Sequence, residues 1–152
     1  MLIRTATQDD DEYLVRHHLA LWESYGIGPE KLKPEAAQTI REFIREGRAH
    51  FSLAAFLAIE EGAALGSAAC QIHRLPYPEV TLPSFRKFGY IWHVYVTPEA
   101  RRRGIARALV KHALEHLKAI GCTQAVLHSS DAGERLYESL GFRISKEMRL
   151  DL

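Results

Sequence analysis

The hydrophobic positions of the chain follow two spacings, one typical of helices and one typical of strands. Apolar residues at every third or fourth position predict four helices, at about 7–25, 34–47, 104–121 and 131–141. Runs of β-branched, aromatic and small apolar residues predict six strands, at 2–6, 51–59, 63–75, 90–96, 123–128 and 142–150. The predicted order of elements is therefore β-α-α-β-β-β-α-β-α-β.

The junction between the fourth strand and the third helix is rich in arginine. The strand residues 90–96 are followed by a turn at 97–100, by Arg101-Arg102-Arg103 and by Gly104, where the helix begins. The first amides of a helix have no intrahelical partner, and the helix dipole adds partial positive charge there. Since glycine lets the backbone approach a ligand closely, the junction predicts an anion site suited to a pyrophosphate.

Two common nucleotide motifs do not fit this loop. The Walker motif requires a lysine and a serine or threonine after its last glycine, but Ile105-Ala106 follow Gly104. The dinucleotide fingerprint requires three glycines, and the loop has one. A nucleoside-triphosphate enzyme is therefore disfavoured.

The loop instead resembles a signature of the GNAT superfamily of acyl-CoA N-acyltransferases. Arg101-x-x-Gly104-x-Ala106 matches its (Gln/Arg)-x-x-Gly-x-(Gly/Ala) pattern, and residues 129–142 (SSDAGERLYESLGF) resemble its second signature. The resemblance is specific over residues 90–142. It implies a single α/β (α+β) domain over residues 1–152, with a mixed, mostly antiparallel sheet. Helices are expected on both faces, and the two central strands are expected to splay into a V-shaped cleft.

The resemblance also implies where acetyl-CoA binds. The pantetheine is expected to pair with the central strand at Val94, Tyr95 and Val96. The pyrophosphate is expected on the loop and first helical turn, which comprise Arg101, Arg102, Arg103, Gly104, Ile105, Ala106 and Arg107. Ser130, or Asp131 if the match shifts by one residue, takes the place of a cofactor-contacting asparagine of the family; a helix-capping role is the alternative for either.

Candidate catalytic residues come from the same resemblance. Tyr137 matches the tyrosine that serves as general acid toward the leaving thiolate, although a core role also fits its spacing from Leu140. Many relatives have a glutamate base on a central strand, which is absent here. His93 and His128 are the candidate bases, because a histidine pKa near 6.5 suits that task; structural roles for both remain open. Strand alternation places His93 with Tyr95 on one face, unless a bulge intervenes.

Composition narrows the remaining classes of function. The chain has 152 residues and a formal net charge of +1, which does not favour nucleic-acid binding. His112 and His116 have metal-binding spacing but no visible third ligand, so no metal is predicted. Two distant cysteines indicate reduced thiols and a cytoplasmic protein. No membrane segment or signal peptide is predicted.

The sequence therefore predicts transfer of an acetyl group from acetyl-CoA to an amine of a small molecule or peptide. A non-catalytic acyl-CoA-binding module is the alternative. Homodimers are common in the family. The acceptor wall is expected to include Trp22, Glu23, Tyr25, Tyr77 and Phe85.

Overall fold

A five-stranded sheet organises the chain in the computed structural model, which describes all residues from Met1 to Leu152. The strands are β1 (Leu2–Thr5), β2 (Ala54–Glu60), β3 (Ala63–Ile72), β4 (Phe88–Val96) and β5 (Gln124–Val126). They lie in the order β1-β2-β3-β4-β5. The first three pairings are antiparallel and β4 pairs with β5 in parallel, so the predicted mixed, mostly antiparallel sheet is confirmed.

Four α-helices cover the two faces of this sheet. They are α1 (Asp11–Ser24), α2 (Ala36–His50), α3 (Ile105–Ala119) and α4 (Asp131–Glu138). The buried stripe of α3 contains Ile105, Leu109 and Leu117 and packs against β2, β3 and β4. On the other face, Leu14 of α1 and Ile44 of α2 pack against Leu57. Burying each such side chain contributes roughly 1.5–3 kcal/mol.

Strands β4 and β5 separate soon after they begin to pair. Their ladder joins only Phe88–Tyr90 of β4 to Gln124–Val126 of β5. From Ile91 to Val96 the β4 edge on this side has no neighbouring strand, although β3 still pairs with the opposite edge. This is the predicted splay, and it leaves backbone groups of β4 available to an added strand.

A bulge in β4 changes which side chains share a face. Ser67 pairs with Tyr95 but Ala69 pairs with Trp92, so β4 has one extra residue, and His93 adopts φ 60°. Because of this bulge, Trp92 packs on the α1–α2 side together with His93 and Tyr95. Val94 lies alone of these four on the α3 side. His93 and Tyr95 thus share a face, and the bulge places Trp92 with them, whereas strict alternation would have placed Trp92 with Val94.

The predicted last strand at residues 142–150 is also wrong. These residues form no strand, and Ile144, Met148 and Leu150 are exposed. A strand requires backbone partners, and the sheet ends at β5, which is itself only three residues long. The other predicted elements are present with shifted ends. No helix is long and apolar enough to span a membrane, and both cysteines are free thiols.

Candidate active site

The turn before α3 presents a cluster of unpaired backbone amides. The amides of residues 102–107 donate to no backbone acceptor, and the first such bond runs from the Ala108 N–H to the Gly104 carbonyl at 3.1 Å. Gly104 itself adopts φ 77°, a conformation that glycine tolerates without strain. A Cβ at Gly104 would meet no atom within 4 Å. The amides therefore face open space at the positive end of the helix dipole.

Three of the four predicted arginines are held by other groups of the protein. Arg101 donates to the Val96 carbonyl at 3.2 Å, and Arg103 forms an ion pair with Glu60 at 2.7 Å. Arg107 donates to the Ser139 hydroxyl at 2.6 Å, which connects α3 to the end of α4. Arg102 makes none of these side-chain contacts and adopts φ 64°. Of the four, Arg102 is therefore the one whose guanidinium is free to meet a ligand.

The two alternatives for capping α4 are now distinguished. Ser130 occupies the N-cap position, and its carbonyl accepts from the Gly133 and Glu134 amides at 2.9 and 3.1 Å. Its hydroxyl makes no capping hydrogen bond. Asp131 is the first residue of the helix. The Ser130 hydroxyl is thus available for another partner.

Tyr137 lies on the inner side of α4, next to the α3 core. Its ring packs against Phe142 at 5.8 Å between centroids. Burial, and secondly the nearby Tyr25 phenol, raise the pKa of Tyr137 to about 12. The hydroxyl is therefore protonated at neutral pH. Tyr25 ends α1 and packs on Trp22 at 6.2 Å, so the α1 end and α4 approach each other.

The two candidate bases lie in different environments. His128 is 55% exposed, contacts the Tyr90 hydroxyl, and places its Nε2 2.7 Å from a Glu147 carboxylate oxygen. His93 is only 4% exposed. Both nitrogens of His93 are engaged, since Nε2 lies 2.7 Å from the Ser67 hydroxyl and Nδ1 lies 3.2 Å from His18 Nδ1. As arranged here, His93 has no ring nitrogen available to a substrate.

The cluster around His93 extends to residues that were not singled out as catalytic candidates. His17 Nδ1 lies 2.9 Å from the Ser67 hydroxyl, and the Trp22 indole donates to His18 Nε2 at 3.1 Å. A sequence signal existed: the small residues around Ser67 allow close packing. Nothing in the sequence showed that His17 and His18 would approach it.

The histidine pair with metal-binding spacing and the loop aromatics expected to line the acceptor site make contacts of their own. His112 and His116 are bonded to the carbonyls of Ala108 and Ser52, at 2.9 and 2.8 Å respectively. Tyr77 and Phe85 lie in the loop between β3 and β4, where Arg86 donates to the Tyr77 hydroxyl at 2.8 Å. The Arg86 guanidinium packs over the ring of Tyr77 and over that of Phe88 in β4.

Acid is expected to destabilise the protein through this histidine cluster. Burial, and secondly the Arg16 charge, lower the pKa of His17 from 6.5 to about 4. Between these pH values the unfolded state binds more protons than the folded state, so the free energy of unfolding falls as pH decreases. For His17 alone the loss is at most about 3.5 kcal/mol, at about 1.4 kcal/mol per pKa unit.

Urea unfolding between pH 5 and pH 7.5 measures this slope. We expect His17→Gln to flatten it, whereas the matched variant His50→Gln, at an exposed histidine, leaves it unchanged. A stability that does not vary over this range would contradict the assignment of a neutral, buried His17.

Comparison with known proteins agrees with this geometry. The chain matches the "Acetyltransferase (GNAT) family" over residues 14–142. It is 37% identical over 92 residues to the glucosamine 6-phosphate N-acetyltransferase of Trypanosoma brucei brucei, a match that covers 60% of this chain. That match spans only 59% of the trypanosome protein's length.

Two solved structures are similar over nearly the whole chain. A GCN5-related N-acetyltransferase from Ralstonia eutropha has 28% identity and a TM-score of 0.84, and the match covers 99% of this chain and 97% of that one. A predicted acetyltransferase from Clostridium acetobutylicum, solved with acetyl-CoA, has 24% identity and a TM-score of 0.82 and shares the fold. The match covers 99% of this chain and 94% of that one. With the unpaired β4 edge and the open amides before α3, these matches show that the chain belongs to the acetyltransferase (GNAT) family.

Proposed function

We propose that this protein transfers an acetyl group from acetyl-CoA directly to a primary amine of a small molecule or peptide. The observation that carries the proposal is the row of unpaired amides at residues 102–107, next to a β4 edge with no neighbouring strand. A long ligand with a peptide-like arm and a pyrophosphate fits both features together. Acetyl-CoA has both parts.

In this proposal the pantetheine adds to β4 along Val94–Val96, as an extended peptide adds to a sheet edge. The pyrophosphate accepts hydrogen bonds from the amides around Gly104. Arg102 supplies the free guanidinium for a phosphate, because Arg101, Arg103 and Arg107 are held elsewhere. The Ser130 hydroxyl, which makes no helix-capping hydrogen bond, is a further cofactor contact.

Chemistry in the cleft requires a neutral amine and a proton for the departing thiolate. Tyr137 is the proposed acid, since its hydroxyl is protonated at neutral pH and lies on the side of α4 that faces the end of α1. A free thiol has a pKa near 8.5, so the leaving group takes up a proton at neutral pH. Neither candidate base has an unengaged ring nitrogen. His128 contacts Tyr90 and Glu147, and His93 contacts Ser67 and His18. Both would therefore act on the amine only through neighbouring groups.

Calorimetric titration of the full chain with acetyl-CoA tests the cofactor assignment. We expect binding of acetyl-CoA with about one site per chain, and no comparable binding of ATP or NAD, because those ligands lack the pantetheine arm. Equal binding of ATP would contradict the role of the β4 edge. Absence of acetyl-CoA binding would reject the proposal.

An amine panel scored by thiol release then separates an enzyme from a binding module. The panel includes glucosamine 6-phosphate, which is the acceptor in the trypanosome relative's name, together with peptides bearing free N-termini. We expect thiol release with at least one amine. Tight acetyl-CoA binding without release from any amine would favour the non-catalytic alternative.

A further inference from the structure

Five polar side chains form one continuous path of hydrogen bonds on the α1–α2 side of β4. In order they are Trp22, His18, His93, Ser67 and His17. The successive distances are 3.1 Å from the indole nitrogen to His18 Nε2, 3.2 Å between the Nδ1 atoms of His18 and His93, 2.7 Å from His93 Nε2 to the Ser67 oxygen, and 2.9 Å from that oxygen to His17 Nδ1. Residues from α1, β3 and β4 thus join into one path.

The direction of these bonds follows from the residue at the outer end. An indole N–H only donates, so His18 Nε2 must accept from Trp22 and carries no proton. A neutral imidazole has one N–H, which for His18 is then Nδ1–H, and it donates to His93 Nδ1. His93 in turn carries its proton on Nε2 and donates to the Ser67 hydroxyl.

The inner end of the path continues in the same direction. The Ser67 hydroxyl has a single proton, and because its oxygen accepts from His93 Nε2–H, that proton can be donated to His17 Nδ1. Neutral His17 then carries its own proton on Nε2. The donor-only indole at the outer end thus sets the direction of every bond in the path.

The surroundings keep the three imidazoles neutral. Burial lowers the pKa of His17, His18 and His93, and for His93 the neighbouring His18 and His17 lower it further. A charged His18 would have to point an N–H at the indole N–H of Trp22. Arg16 also opposes charge on His17, and the Tyr95 ring covers one side of His17 at 5.0 Å.

Trp22, the outer end of this hydrogen-bonded path, lies on the side of the proposed acid Tyr137. Trp22 is 42% exposed and packs on Tyr25, and Tyr25 is close enough to influence the Tyr137 phenol. His18 Nε2 therefore becomes accessible to the cleft if the Trp22 indole turns aside. Both ring nitrogens of His93 and Nδ1 of His17 are engaged with protein groups.

We propose that Trp22, His18, His93, Ser67 and His17 form a one-way proton path that takes the acceptor amine's proton at His18 and releases one at His17. This inference rests on the proposed acetyl transfer. His18 is the catalytic base, Trp22 is its displaceable cover, and His93, Ser67 and His17 are relay residues. His93 thus acts without touching the substrate.

The protons balance over one passage. The amine N–H bond breaks as His18 Nε2 gains a proton, and the His18 Nδ1 proton moves to His93 Nδ1. The His93 Nε2 proton moves to Ser67, whose own proton moves to His17 Nδ1. His17 Nε2 then releases its proton, so one proton enters the path and one leaves it. The neutral amine nitrogen uses its freed electron pair to attack the thioester carbon, and the carbon–sulfur bond breaks as Tyr137 protonates the departing thiolate. The nitrogen gives its remaining excess proton to the Tyr137 phenolate as the amide forms, which restores the phenol.

Nitrogen-15 NMR of the histidine rings tests the direction without any substrate. At pH 7 we expect His18 as the Nδ1–H tautomer, with His93 and His17 as Nε2–H tautomers. Trp22→Phe removes the donor and should shift His18 toward the Nε2–H form. Trp92→Phe is the matched control, because its indole packs edge-on against His18 at 5.6 Å but its N–H has no hydrogen-bond partner. It should leave the tautomers unchanged.

The opposite tautomers in the wild type, or a cationic His18, would overturn the proposal even in an active enzyme. So would a Trp22→Phe spectrum identical to the wild type. These outcomes do not depend on turnover, whereas failure to bind acetyl-CoA would reject only the proposed function.

Ser67→Ala tests the relay once an amine substrate is in hand. We expect kcat to fall roughly tenfold or more with an unchanged acetyl-CoA dissociation constant. The solvent deuterium dependence of kcat should change from a curved, multi-proton form to a linear one, which a purely structural role would not produce. An unaltered rate and isotope dependence would show that protons leave by another route.

Discussion

Replacing Gly104 by glutamate is expected to weaken acetyl-CoA binding by about 100-fold or more, through backbone strain and charge repulsion together. Gly104 adopts φ 77°, which a residue with a Cβ reaches only with strain. The glutamate also places a carboxylate beside the amides proposed to hold a pyrophosphate. Calorimetric titration with acetyl-CoA measures the loss.

Gly121→Glu is the matched control for this experiment. Gly121 has φ 80° and open space around its missing Cβ, as Gly104 does, but it follows the opposite end of α3. That helix has 15 residues and is therefore about 22 Å long. The control should keep the wild-type affinity. Equal affinities for Gly104→Glu and the wild type would remove the pyrophosphate from this loop.

Tyr137→Phe should lower kcat by roughly 10- to 100-fold while leaving the acetyl-CoA dissociation constant nearly unchanged. The hydroxyl is protonated at neutral pH, because burial and Tyr25 raise its pKa to about 12. Removing it leaves solvent as the proton source for the thiolate. The ring and its packing against Phe142 are retained. Steady-state thiol release with the best amine of the panel measures the effect.

Two further measurements separate catalysis from packing at Tyr137. The free energy of unfolding of Tyr137→Phe should stay close to that of the wild type, because the substitution removes no apolar surface. Tyr13→Phe, near the start of α1, removes a hydroxyl that contacts none of the proposed site residues and should retain full activity. A wild-type rate in Tyr137→Phe would assign Tyr137 to the core alone.

Features that depend on neighbours in the chain were predictable. The 3.6-residue spacing of Ile105, Leu109 and Leu117 identified α3 and its buried side, and all three are buried against the sheet. The glycine and arginines before them indicated open amides, which the structure shows. Helix periodicity and end signals are local, so a single sequence carries them.

Features that depend on a partner strand were less predictable. The apolar alternation after Phe142 resembles a strand, but these residues find no pairing partner in the sheet. The bulge at His93 depends on the register between β3 and β4, which moves Trp92 to the other face. A one-residue change of register reverses every following side chain, and the strand's own sequence does not encode it.

The candidate site likewise combines features set by neighbours in the sequence with features set only by folding. Residues 90–142 by themselves specified the family signatures, the loop proposed to hold the cofactor and the position of Tyr137, because those motifs are contiguous. Only folding brought together Trp22, Ser67 and His93, which are distant in sequence, and only folding gave Arg102 rather than its neighbours a free guanidinium. Hydrogen-bond partners, burial and the resulting pKa values are properties of three-dimensional proximity, so tertiary structure decided which polar groups can meet a ligand and which are bound to each other.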